Sequence, residues 1–245
     1  MEVLKTRDLI VGYKDKAILP PINVTLNEGS LIALIGPNGA GKSTLFKTLT
    51  AHIKAVSGEI ELFGRKLHSY SAKEKATLLG LVLTERPDDM FLKVYDVVAS
   101  GRCPYTNFFG KIREEDENMI KDSLDIVGIK HLNNRYFTTL SDGERQKVMI
   151  AKTIAQNTPI IFMDEPTAFI DYPSKIELFN LMKKLCKEQN RTIVFSSHDL
   201  ELLLRYTDDI WLVSKGKELI SSNKEDLLNN GVIREYFNLK EDIKI

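Results

Sequence analysis

Long apolar runs, clustered cysteines and a charge excess of either sign are all missing from this 245-residue chain. Its two cysteines, Cys103 and Cys186, stand far apart, with no Cys-x-x-Cys spacing and no histidine pairing beside them. They read as ordinary thiols in a reducing compartment. Lys+Arg and Asp+Glu each number 34, so the formal net charge is zero and no basic excess points to nucleic acid. The longest apolar stretches, such as Leu31–Ile35 and Thr192–Phe195, fall far short of a bilayer span. The first ten residues carry four charges and lack an apolar core, so no secretory signal is expected. The expectation is a soluble, cytoplasmic protein unless a partner holds it at a membrane. What is present is a 43% hydrophobic content, enough for a sizeable core, and a length that fits one large α/β domain or a domain carrying a subdomain.

Three short runs, Leu31–Ile35, Pro159–Met163 and Thr192–Phe195, are apolar without alternation, the pattern of parallel strands buried on both faces. Between Ser174 and Gln189, Ile176, Phe179, Met182 and Leu185 recur at threes along one helical face, a core stripe. Val3–Leu9 and Gly58–Phe63 are interrupted by polar residues and read as a small antiparallel layer. From about Arg86 to Leu140 the chain turns to charged helices, Tyr95–Ala99 and Glu114–Val127, and a helical subdomain is expected there. Ser-Lys-Gly-Lys after Ile210–Val213 signals a hairpin, and a helical tail begins near Asn223.

Gly36-Pro37-Asn38-Gly39-Ala40-Gly41-Lys42-Ser43 matches G-x-x-x-x-G-K-[ST]. A buried strand precedes it and a helix from Thr44 to His52 follows, the setting in which this pattern cradles phosphates. Glycines let the backbone curl so that N–H groups face phosphate oxygens, and the helix N-terminus adds its dipole. Lys42 is placed to reach the β- and γ-phosphates, and Ser43 to face Mg²⁺. Ile160-Ile-Phe-Met-Asp164-Glu165 is a hydrophobic strand ending in two carboxylates, which a parallel sheet would bring beside that loop. Asp164 is expected to hold Mg²⁺, and Glu165 to orient and polarise the water attacking the γ-phosphate. Leu140-Ser-Asp-Gly-Glu-Arg-Gln146 opens a helix, with Ser141 and Glu144 at capping-box spacing.

Taken in order, these motifs resemble the ATP-binding cassette (ABC) ATPases, with Leu-Ser-Asp-Gly-Glu similar to their signature. Only 99 residues separate Lys42 from Ser141, too few for a long coiled-coil insertion. The resemblance spans nearly the whole chain. It implies a P-loop α/β cassette with a parallel-sheet core, a small antiparallel β layer and an inserted helical subdomain. The whole of 1–245 would be one domain, its core about 1–85 and 148–245 and its helical part about 86–147. It also implies a head-to-tail dimer with a second copy, in which Ser141, Gly143 and Glu144 cap the ATP on the partner's loop. By the same resemblance Tyr13 stacks on adenine, Asp171 communicates across the dimer, and His198 bonds the γ-phosphate and the attacking water. His52, His68 and His131 are expected at the surface or at helix ends.

The chain departs from the family at five positions, among them Phe169 and Ile170, which stand where small residues and leucine are common. Glu85 replaces a glutamine that touches Mg²⁺, Asp142 a glycine and Glu144 a glutamine; Glu85 is retained as a candidate metal ligand. Val97–Gly110 resembles cassettes of iron–siderophore, haem and cobalamin importers, and Pro104, Tyr105, Phe108 and Phe109 form a candidate docking patch. The implied protein is a Mg-dependent ATPase on the cytoplasmic face of the cell membrane, joined to two transmembrane permease subunits and indirectly to a substrate-binding protein. An exporter subunit and a soluble ABC ATPase stay open as alternatives.

Overall fold

A computed structural model describes residues 1–84, 91–107, 110–232 and 236. The chain opens with β1 (Glu2–Ile10), a hairpin of β2 (Gly12–Tyr13) and β3 (Lys16–Ala17), and β4 (Thr25–Asn27). Then come β5 (Leu31–Ile35), α1 (Lys42–Leu49), β6 (Ser57–Leu62), β7 (Arg65–Lys66), α2 (Ala72–Leu78) and β8 (Leu79–Val82). The helical stretch holds α3 (Val94–Ala99), α4 (Glu114–Ile126) and α5 (Asp142–Ala155). The chain returns with β9 (Ile160–Met163), α6 (Tyr172–Gln189), β10 (Thr192–Ser196) and α7 (Leu200–Tyr206). It closes with β11 (Asp209–Leu212), β12 (Ile220–Asn223) and α8 (Lys224–Asn229).

Among the described residues, one sheet runs β12-β11-β5-β10-β9-β8, and every pairing in it is parallel except the β11–β12 hairpin. A second, antiparallel sheet runs β4-β1-β6-β7. All four residues of β9 and all five of β10 are buried, which explains the apolar run of β9 and of Ile193–Phe195 within β10. The three expected core strands, the antiparallel layer, the hairpin and the terminal helix are all present. The strands β8 and β11 extend the parallel set beyond those three. The loop helix starts at Lys42 and ends at Leu49, earlier at both ends than Thr44–His52.

Three apolar clusters pack around the sheets. Between the two sheets, Phe46 of α1 meets Phe162 of β9 at 5.4 Å between ring centroids, fixing the loop helix against the core. On the opposite face α6 buries Phe179, Met182 and Leu185, while Ile176 is half-buried at its margin. The third cluster joins α3, α4 and α5 through residues such as Val97, Ile120 and Val148. Helix α5 belongs to two clusters at once: Ile150 and Ile154 face the sheet, and Val148, Ala151 and Ala155 face the helical layer. Burying each of its large side chains, Val148, Ile150 and Ile154, contributes about 1.5–3 kcal/mol, so α5 bonds the two parts firmly.

A buried polar knot reinforces that joint. Arg102 donates from Nε to Asp116 Oδ1 at 2.9 Å and from Nη1 to the Ala155 carbonyl at 2.7 Å. Its guanidinium lies 3.9 Å from the Tyr105 ring centroid, and the Tyr105 hydroxyl donates to the Gln156 carbonyl. Gln156 in turn donates to the carbonyls of Ala76 and Leu79, at the start of β8. Tyr105 is therefore half-buried, with its ring against Arg102 and only part of it left at the surface for the expected docking patch. Its hydroxyl is committed to a backbone carbonyl; Phe108 and Phe109 lie outside the described residues.

Burial pushes the Asp116 carboxyl up, but the Arg113 N–H and the Arg102 guanidinium outweigh it and hold it below the usual carboxylate range. A depressed folded pKa gives stability that is present above the unfolded pKa and is lost as acid carries the solution through the folded one. Asp116→Ala leaves the Arg102 charge buried and unpaired. It is expected to cost about 3–5 kcal/mol, read as a lower urea midpoint at neutral pH, with a smaller difference from the parent in strong acid.

Candidate functional site

Parallel register brings the C-terminal ends of five strands to one edge. Phe195 pairs with both Ala33 and Met163, and Leu212 pairs with Ile35. The loop 36–43 leaves β5 there, squeezed against the next strand. A Cβ on Gly36 would come within 2.1 Å of the Val213 carbonyl oxygen, so only glycine fits. Gly41 has φ +101° and caps α1 without a side chain, and no acidic residue occupies the first turn. The orphan N–H groups of that helix start are thus left for an anion. Ala40 is buried against the core, whereas Pro37, Asn38 and Gly39 form the exposed crest. Ile18, from the end of the hairpin that carries Tyr13, closes the loop's cleft of about 220 Å³ on one side and Glu165 closes it on another. Tyr13 is half-exposed on that hairpin, available for a planar ligand.

Lys42 points back over the loop and donates to the carbonyls of Gly36 (2.8 Å) and Pro37 (3.3 Å). Burial lowers its pKa, and the nearby Glu165 and Asp164 carboxylates oppose the shift. The Ser43 hydroxyl donates to Asp164 Oδ2. The Ser196 hydroxyl donates to the other oxygen, Oδ1, at 2.7 Å. Thr84 donates to the Asp164 carbonyl and the Asp164 N–H to the Val82 carbonyl, which anchors this residue to β8. Glu165 sits at φ +48°, in the left-handed region, with its N–H bonded to Ser196 Oγ at 2.9 Å. Its carboxylate accepts from His198 Nε2 at 2.7 Å, so that ring nitrogen carries the hydrogen. The phosphate loop, both acidic residues and His198 are therefore together. His52, His68 and His131 are exposed elsewhere.

A second cleft, of about 490 Å³, is lined by Ser141, Asp142, Gly143, Glu144, Phe169 and Asp171, with Thr44 and the rest of the phosphate loop outside it. Ser141 and Glu144 form the expected capping box at the start of α5. The Glu144 carboxylate accepts from both the Ser141 N–H (2.8 Å) and its hydroxyl (3.0 Å), and the former chiefly lowers its pKa. A Cβ on Gly143 would lie 2.9 Å from the Phe169 carbonyl oxygen, so the helix start packs tightly on the loop after Glu165. Asp171 caps α6 by accepting from the Ser174 N–H at 2.8 Å, which lowers its pKa. Among the described residues, no side chain lines both clefts. Glu85 lies outside the described residues.

Sequence reasoning missed Ser196, Thr84 and Ile18. The one available signal was for Ser196, a hydroxyl directly after the apolar run Ile193–Phe195, which becomes meaningful only once β9 lies alongside.

A glycine loop opening onto a bare helix start, beside a strand ending in two carboxylates, defines a nucleoside-triphosphate-binding α/β cassette. Residues 19–168 match the ABC transporter family, and the chain belongs to that family as one of its ATP-binding, ATP-hydrolysing members. It is 41% identical over 238 residues to an uncharacterized ABC transporter ATP-binding protein of Methanocaldococcus jannaschii, covering 97% of this chain and 82% of that one. It is 32% identical to the iron(3+)-hydroxamate import ATP-binding protein FhuC of Bacillus subtilis, over 99% of this chain and 90% of the relative. An ABC transporter described as of metal-chelate type, solved in an inward-facing conformation, superposes with a TM-score of 0.83 at 28% identity, over 98% and 90% of the two chains. A dimeric ATP-binding cassette with ADP and phosphate superposes at 0.77 with 25% identity, over 90% and 98%.

Lys42→Met removes a charge held in a desolvating site while keeping the side chain's length. ATP affinity is expected to fall at least about tenfold, because a charge-assisted phosphate contact is lost. The urea midpoint is expected to hold or rise, since the buried ammonium costs free energy. Fluorescent-nucleotide titration and urea unfolding check the two halves.

Proposed function

We propose that this chain is the ATPase subunit of an importer for iron chelates such as siderophores, or for haem or cobalamin, working as a pair of copies on the cytoplasmic face of the membrane. Family cassettes form dimers and work with permease components. The observation that carries the dimer is the separation of the two clefts: the phosphate loop and the Ser141–Gly143 helix start are half-sites that no single chain joins. A second copy, head to tail, supplies what each lacks. In that pair the Ser141 hydroxyl, the Gly143 N–H and Glu144 face the partner's nucleotide, and Asp171 lies at the seam. The cargo class rests on the siderophore-import names of the relatives and on the metal-chelate type of the superposed transporter. Among the described residues no helix is long and apolar enough to cross a membrane, so two permease subunits would form the pathway, with a substrate-binding protein delivering the cargo.

Within each site, Lys42 and the loop N–H groups hold the phosphates and Tyr13 stacks on adenine. Glu165 takes the proton of the attacking water, and His198, already bonded to that carboxylate, keeps it aimed. Mg²⁺ fits the chemistry of the Ser43 hydroxyl with Asp164. The paired Ser43 and Asp164 oxygens are hard donors of the kind that ion takes, with phosphates and water left to complete its shell. When bound it would neutralise charge developing on the phosphates, and Glu85 is retained as a further ligand.

Glu165→Gln is expected to keep ATP affinity within about threefold while turnover drops about 100-fold or more. ATP should then drive the variant to a dimer in sedimentation velocity. Turnover at the parent rate would remove Glu165 as the base, and a monomer at saturating ATP would remove the sandwich. Co-expressed with its permease, the parent ATPase should rise when a binding protein loaded with ferric siderophore is added to vesicles.

A further inference from the structure

The strand β10 is apolar through Ile193, Val194 and Phe195, yet closes on a serine that is completely buried. That hydroxyl is not filling space. Its one hydrogen goes to Asp164 Oδ1 (2.7 Å) and its oxygen accepts the Glu165 N–H (2.9 Å), so a single group touches two consecutive acidic residues. Ser43 holds the other oxygen of Asp164. A carboxylate gripped on both oxygens has one orientation, because rotating it breaks both bonds at once. Glu165 faces a different constraint. A non-glycine residue at φ +48° is strained, and the Ser196 bond together with the Ala168 N–H on the Glu165 carbonyl (3.0 Å) holds it there. That backbone turn is what sends the Glu165 side chain to His198.

We propose that Ser196 is a positioning residue for ATP hydrolysis, one buried hydroxyl that aims Asp164 at Ser43 and the magnesium ion while locking the turn that presents Glu165. The inference rests on the reading of Asp164 as metal ligand and Glu165 as base. Ser196 itself touches neither nucleotide nor water; it acts through its two neighbours. Outer groups that orient metal ligands matter for both affinity and turnover.

The test uses the full chain with Ser196→Ala, Ser196→Val and Ser196→Thr. Threonine keeps the hydroxyl and suits a strand; valine has nearly the same shape without it. The first readout is the Mg²⁺ concentration that gives half-maximal binding of a fluorescent ATP analogue, and the second is kcat set against KM at saturating Mg²⁺. The alanine and valine variants are expected to need about tenfold more Mg²⁺ and to lose about tenfold or more in kcat. KM for ATP should change less than about threefold, since the loop N–H groups still hold the phosphates. Threonine should recover most of both losses. A serine that merely stabilises the fold would lower the urea midpoint and leave the Mg²⁺ requirement alone. Alanine and valine variants within twofold of the parent in both readouts overturn the proposal, whatever their stability. Asp164→Asn, run alongside, separates the levels: if it leaves the Mg²⁺ requirement unchanged, the metal-ligand reading falls and this proposal with it. If it shifts that requirement while the Ser196 variants do not, only the proposal falls.

Discussion

Everything at the site depends on the in-register parallel pairing of β5, β10 and β9. Parallel strands point the same way, so their C-terminal ends finish at one edge of the sheet. Phe195, paired with Ala33 on one side and Met163 on the other, makes the loop after Ile35, the carboxylates after Met163 and His198 into neighbours. In a sheet a slip of one residue turns every side chain to the other face. Here it would also break the Ser196 bridge, since that hydroxyl reaches Asp164 and Glu165 only from the end of β10. The site is thus as exact as the register that builds it, and the buried apolar faces of these strands set that register.

A second feature is that the helical layer is held in place relative to the sheet, which fixes where the Ser141 helix start stands. Two devices serve this. Helix α5 contributes side chains to two apolar clusters, and the Arg102–Asp116–Tyr105–Gln156 knot ties the layer to the beginning of β8. The knot lies at the other end of the sheet from the carboxylates. Arg102, Tyr105 and Gln156 each donate to a backbone carbonyl, which suits a structural tie. Burial likewise pushes the Cys186 thiol up to about 12, so that cysteine is core and not chemistry.

The signature region shows how one motif serves two tasks. Ser141 and Glu144 satisfy each other as a helix cap, while the Ser141 hydroxyl also lines an open cleft. With Glu144 ionised, that hydroxyl spends its hydrogen on the carboxylate, so in the proposed dimer a phosphate would meet a charge already in place. Asp142, with the Arg145 guanidinium 3.9 Å away, adds a second acidic group at the same helix start. Gly143 stays bare because Phe169 of the following loop abuts it, which links this half-site to the loop that begins at Glu165.

The motifs, the strands β5, β9 and β10, the helix α6 and the cap at Ser141 were legible in the amino-acid order. Each is a local matter: glycine where the backbone must curl, apolar runs where both faces are buried, serine and glutamate at cap spacing. Tertiary structure decided the rest. Tyr105 looked like a surface aromatic until its hydroxyl found the Gln156 carbonyl, 51 residues away in the chain. Ser196 looked like a strand end until β9 lay beside it. The strand β8, half hidden by its mixed burial, joined the sheet because Val82 pairs with Met163. The sequence by itself determined which chemistry is available, since that follows from residue type and short spacing. Only the folded chain decided which groups meet, because those distances are set by packing between segments far apart in sequence.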